Sequence, residues 1–184
     1  MATTVIGDER KLGELIIYIS QKSANDRRFG ATKLNKLLYF ADFFAFGKFG
    51  KAITEVPYQH LKAGPAPTRL RPIRARLEKE KAIAIQEIPL LSGNVMHKTI
   101  ALREPDLRSF SGPEIALVDS LINEHWDRDS DSISDASHNY VGWKMTKEGQ
   151  SIPYGSIFLS DAPLSQAETK RGQQIAKKYG WTHV

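Results

Sequence analysis

The sequence predicts a mainly α-helical, compact domain built around one central buried helix, with one small β-hairpin. Three observations predict it. Residues 32–49, TKLNKLLYFADFFAFGKF, carry apolar side chains around nearly the whole circumference of a helix. Periodic apolar stretches with capping residues lie before and after that segment. Only the region around Gly93-Asn94 combines alternation with a hairpin turn signal.

Taken in order, Asp8 caps a first helix running to about Ser23, with Leu12, Leu15, Ile16 and Ile19 as its inner face. NDRRFG is a turn. The central helix follows, with Thr32 at its start and Gly47 as a left-handed stop. Six of the chain's 17 aromatic residues fall between Tyr39 and Phe49, which makes this helix the core element. Leu37, Leu38, Phe40 and Phe44 are expected inside. Gly64, Pro65 and Pro67 fix a rigid, non-helical corner. A basic helix is expected over residues 68–82, with Pro72 tolerable near its first turn. IAIQEIPLL and VMHKTIALR pair as the hairpin through Ser92-Gly93-Asn94, and Pro89 marks an edge or a bulge. Ser111 and Glu114 make a capping box for a helix to about Trp126 that buries Ile115, Val118 and Ile122. A short helix is expected over residues 132–140, then a long loop over 141–159. Ser165 and Glu168 cap a terminal helix that stops at Gly180 and lies on the outside.

The 184 residues suit a single domain, long enough to bury roughly 70% of the unfolded surface. No apolar run reaches the ~20 residues of a membrane helix. MATTVIGDERK lacks the basic-then-apolar order of an export signal. The absence of cysteine excludes disulfides, thiol catalysis and cysteine-bound zinc, and fits a cytoplasmic protein. Residues 68–82 hold six basic and two acidic side chains, so this one segment carries +4 of the chain's +5. Such a local surface suits an acidic protein partner, nucleic acid or plain solvation.

No phosphate-binding loop, dinucleotide fingerprint or nucleophile elbow occurs. His60, His97, His125, His138 and His183 show no metal-site spacing, so neither a metal nor another cofactor is expected. His138, five residues before Trp143, reads as a structural histidine beside a turn, or as part of a binding surface.

TKLNKLLYFAD, followed by YQHLKAGPAP and then by Ser137-His138 with Trp143, resembles the Panacea domain, the SocA-like antitoxin family. The resemblance covers about residues 10–145 and leaves a C-terminal loop and helix as an extension. Ala66-Pro67 stands where the family usually has a large aliphatic residue. The resemblance implies a cytoplasmic, non-enzymatic antitoxin of a toxin–antitoxin pair, of a kind also carried by prophages. Its partner would be a cognate toxin from an adjacent gene, neutralised by direct binding. At least one relative instead delivers its toxin to a protease. The alternative from another class is a DNA- or RNA-binding regulator acting on its own operon; an unrecognised hydrolase or transferase is a third. The expected binding surface comprises Tyr58, Lys62, Arg69, Arg71, Arg74 and Arg76, with His138 and Trp143 as supports.

Overall fold

The computed structural model describes residues 7–180. His183, and the first six residues of the stretch read for an export signal, lie outside them. The described chain is mainly α with small β elements. Helix α1 (Glu9–Lys22) leads to α2 (Ala31–Phe49), then strands β1 (Tyr58–Leu61) and β2 (Gly64–Pro67) and helix α3 (Leu70–Lys79). Strands β3 (Ile83–Pro89) and β4 (Val95–Ala101) precede α4 (Gly112–Glu124), α5 (Ser130–His138) and α6 (Val141–Lys144). Strand β5 (Ser151–Ile152), a 3₁₀ turn (Tyr154–Phe158) and α7 (Gln166–Tyr179) complete it. Among the described residues no helix is long and apolar enough to cross a membrane.

Helix α2 is the hub, packed against α1, α4, α5, β2, β4 and the 3₁₀ turn. Leu34, Leu37, Leu38, Tyr39, Phe40 and Phe43 are buried, whereas Phe44, expected inside, is half-buried. The helix is shifted from its expected ends. It starts at Ala31 with Gly30 as N-cap, so Thr32 lies within the first turn and caps nothing. A side chain at Gly30 would sit 2.7 Å from Met96 Cγ, so glycine lets β4 close over the helix start. The stop is Gly50, left-handed at φ 75°, and not Gly47. Gly47 sits inside the last turn, where Ile157 of the 3₁₀ turn packs on it.

Two sheets are present among the described residues, where one hairpin was expected. β3 and β4 form the expected antiparallel pair, from Ile83 opposite Ala101 to Pro89 opposite Val95. The second sheet has the order β2-β1-β5 and turns the Gly64–Pro67 corner into a strand. Two prolines are tolerated because β2 is an edge strand. Pro65 and Pro67 are two apart, so both hydrogen-free nitrogens face the same, unpaired side. The expected loop over residues 141–159 holds α6, β5 and the 3₁₀ turn, because Ser151 and Ile152 pair with Gln59 and Tyr58. The capping boxes at Ser111 and Ser165 form as read, and Asp8 accepts from the Lys11 amide.

The apolar helix also hides three charges that its aromatic content masks. Lys33 Nζ lies 2.7 Å from Asp26 Oδ2 and 3.1 Å from His125 O, with both side chains of the ion pair 2% exposed. Asp42 is fully buried and accepts from the Thr54 amide at 2.7 Å and the Thr54 hydroxyl at 2.6 Å. Burial pushes the Asp42 carboxyl up to about 6, against the pull of these hydrogen bonds. Lys36 is the third.

Removing one member of a buried pair strands the other charge. Lys33→Met should therefore cost about 3–5 kcal/mol, read as a lower urea midpoint at unchanged slope. Asp26→Asn combined with Lys33→Met should recover much of that loss. A single-variant cost below about 1 kcal/mol would contradict this account of the pair.

Candidate functional site

Lys36 leaves α2 one turn after Lys33 and is 1% exposed. Among the described residues its ammonium has no carboxylate partner; Nζ donates to Ala63 O at 2.5 Å, at the tip of the β1–β2 hairpin. Burial draws the Lys36 pKa down to about 8. Gly64, at φ +109°, follows at the same tip. Any side chain there would collide with Lys36 Nζ and lie 3.0 Å from His138 Nε2. Glycine is thus required twice, by the backbone conformation and by the close approach of the Lys36 ammonium and the His138 imidazole.

His138 ends α5, and its Nε2 is shut off from solvent with no hydrogen-bond partner. Burial, with the nearby Lys36 charge, holds the His138 pKa below its ordinary value; Asp135 opposes this. Trp143 of α6 stacks on both imidazoles. Ring centres are 3.3 Å from His60 and 4.4 Å from His138, with planes within 14° and 13°. His60 Nδ1 lies 3.1 Å from Thr146 Oγ1. The His60 backbone is pinned to the other side of the cluster, by Gly149 N to His60 O at 2.8 Å and His60 N to Gln150 O at 2.9 Å.

All three sequence motifs therefore meet at one place. Lys36 comes from the first, Gly64 from the second, His138 and Trp143 from the third. Lys62 stands at this hairpin tip, exposed and without an ion pair among the described residues. His60 and Lys36 were missed by sequence reasoning. A lysine inside a helix apolar on all sides was the available signal, since such a charge must end on something internal.

The other expected contacts divide. Tyr58, expected on the binding surface, is 1% exposed and belongs to the core. Its ring meets Tyr39, Phe43 and Tyr154, and its hydroxyl lies 2.8 Å from both Leu38 O and Asp42 Oδ2. Arg69, Arg71 and Arg76 are exposed on α3, and Arg74 is half-buried. No hydrogen bond or ion pair links them to Lys62 among the described residues. Thr68 closes the base of the hairpin through its amide to Pro57 O, while Lys62 is at the tip, about 13 Å away at 3.3 Å per residue.

His138 Nε2 is enclosed by the protein. Trp143, half-exposed, is the one member of the stack whose residue type is enriched at interface hot spots, and Lys62 lies exposed at the hairpin tip. Among the described residues no group of three or more histidines or acids is placed to hold a metal ion.

The family model described as antitoxin SocA-like, Panacea domain, matches residues 34–144. That span begins in α2 and ends with α6, and so contains the whole cluster. No curated protein and no solved structure matches the chain.

The cluster should titrate. With a folded Lys36 pKa of about 8 against an ordinary 10.5, the unfolded chain binds more protons between these values. The Lys36 contribution to stability therefore rises with pH across that window, by at most about 1.4 kcal/mol per pH unit. The stability difference between wild type and Lys36→Met, from urea titrations at pH 7.5 to 9.5, should grow with pH. For His138, depressed below 6.5, the contribution is present above that pH and lost as pH falls beneath it. The difference between wild type and His138→Gln should accordingly shrink on acidification below about pH 6.5. Flat differences in both series would contradict the cluster electrostatics.

Proposed function

The chain belongs to the SocA-like Panacea family, and on that premise we propose that it is an antitoxin that neutralises a cognate toxin protein by binding it directly. It does so without chemistry of its own. In this reading it works in the cytoplasm beside its toxin, whose gene lies next to its own.

The observation that carries the proposal is the convergence of the family's motif segments on the Lys36–Gly64–His138–Trp143 cluster. The cluster commits a buried lysine, a half-buried histidine and a glycine at positive φ to holding one hairpin tip. That tip presents Lys62 to solvent. Fixing a contact loop in advance lowers the ordering entropy lost on association, which is what a tight inhibitor needs. The exposed arginines of α3 give the same molecule a second, charged contact region. Lys36 and Tyr58 are positioning residues in this reading, and Lys62, Trp143, Arg71 and Arg74 are contacts.

Co-expression tests it. The adjacent gene alone should arrest growth, and together with this chain it should not; the two products should co-purify. A neighbour that is harmless alone, or that stays toxic in the presence of this chain, sinks the reading for that pair. Given rescue, Lys62→Glu should weaken the complex about tenfold and leave the melting temperature unchanged, because Lys62 is exposed and forms no hydrogen bond or ion pair among the described residues.

A further inference from the structure

The arginines of α3 are not equivalent. Leu70, Ile73 and Leu77 form its buried stripe. α1 crosses at Gly13, where a Cβ would meet Leu77 at 3.6 Å and Ile73 at 3.9 Å. On the flank nearer α1, Arg69 Nε donates to Glu9 Oε1 at 2.8 Å, and Arg76 Nε lies 3.8 Å from Glu80 Oε1. Both are already neutralised by carboxylates.

The opposite flank is different. Arg71, Arg74 and Glu78 recur at i, i+3 and i+7, so they share one face. Neither Arg71 nor Arg74 forms an ion pair among the described residues, although Arg74 has Glu78 in electrostatic reach. Arg71 is exposed. Arg74 is half-buried, and its Nε is cut off from solvent with no hydrogen-bond partner. A buried donor left unsatisfied costs on the order of 1–3 kcal/mol, more when it belongs to a charged group. The two terminal nitrogens of Arg74 are not enclosed in this way and hold no hydrogen bond among the described residues, so they are the atoms that an incoming carboxylate reaches.

We propose that Arg71 and Arg74 form an open carboxylate-binding anchor, filled by acidic side chains of the toxin when the complex forms. The identity of the partner rests on the antitoxin reading; the chemistry of the anchor does not. A guanidinium fork takes a carboxylate bidentately, which an ammonium cannot do. Phosphate is the other anion of this geometry, but nucleic acid fits the flank poorly. Glu78 lies on the same face and would repel a continuous phosphate backbone. Two free arginines would also release too few counterions, with a salt slope of only about −1.8, for useful affinity to duplex.

Arg74→Met, Arg74→Lys and the Arg71→Met/Arg74→Met double variant test it in the full chain. The affinity for the co-purifying toxin is read by calorimetry and folding by melting temperature. Arg74→Met should weaken the complex at least tenfold while leaving the melting temperature equal or higher, since it removes an orphaned donor. Arg74→Lys should weaken it nearly as much, and the double variant about a hundredfold. Unchanged affinity with a lowered melting temperature would overturn the proposal and make Arg74 a packing residue. A toxin-independent arm titrates hexaglutamate into ¹⁵N-labelled chain at low salt. The Arg74 Nε–H resonance should move, and an unmoved resonance overturns the anchor. A moved resonance with no toxin bound by wild type would retire the antitoxin reading and leave the anchor standing. Salt-dependent binding of a promoter duplex that the double variant loses would reassign the flank to phosphate and overturn the carboxylate assignment.

Discussion

Three charged side chains inside an otherwise apolar helix decide where the surrounding loops lie. Each is deprived of water by α2 packing on its neighbours, so each must find a polar partner within the protein. Lys33 takes Asp26 and the carbonyl of His125. Lys36 takes the carbonyl of Ala63, and Asp42 takes Thr54 and Tyr58. The partners sit in the turn before α2, the end of α4, the β1–β2 tip and the segment after Gly50. Apolar burial alone would hold these pieces near the helix without choosing one arrangement. Directional partners for a desolvated charge choose it, at a cost in desolvation that the large core offsets.

The turn before α2 shows how tightly this works. Besides Lys33, Lys98 of β4 reaches the carbonyls of Ala24 at 2.7 Å and Asp26 at 3.2 Å. Two lysines from different elements thus close on one short turn, while Met96 covers Gly30. Strand β4 is thus fixed at the start of the helix by two neighbouring side chains, Lys98 through polar contacts to the turn and Met96 through packing on Gly30.

The same logic separates residues that support the proposed surface from residues that touch a partner. Tyr58, Lys36 and His138 are committed inward, and their worth lies in fixing the hairpin tip. Lys62, Arg71 and Arg74 form no hydrogen bond or ion pair among the described residues. A side chain on α3 is spoken for when it faces α1, as Arg69 is by Glu9, and open when it faces away. Charge in the sequence is therefore a poor guide to charge available for binding.

The sequence by itself determined the central helix, the flanking helices with their caps, the β3–β4 hairpin and the family to which the motifs belong. These features are legible because periodicity, capping boxes and turn residues act within a few positions of one another. It misjudged the Gly64–Pro67 segment, Tyr58 and residues 141–159. In each case the deciding partner is distant in the chain: Ser151 and Ile152 pair across to β1, and Asp42 holds Tyr58 inside. The candidate site is the extreme case. His60 and His138 are unremarkable singly and become a site only when both stack on Trp143. Only the tertiary structure decided that, because no local signal encodes which loop a buried charge will capture; that depends on which carbonyl the completed core leaves within its reach.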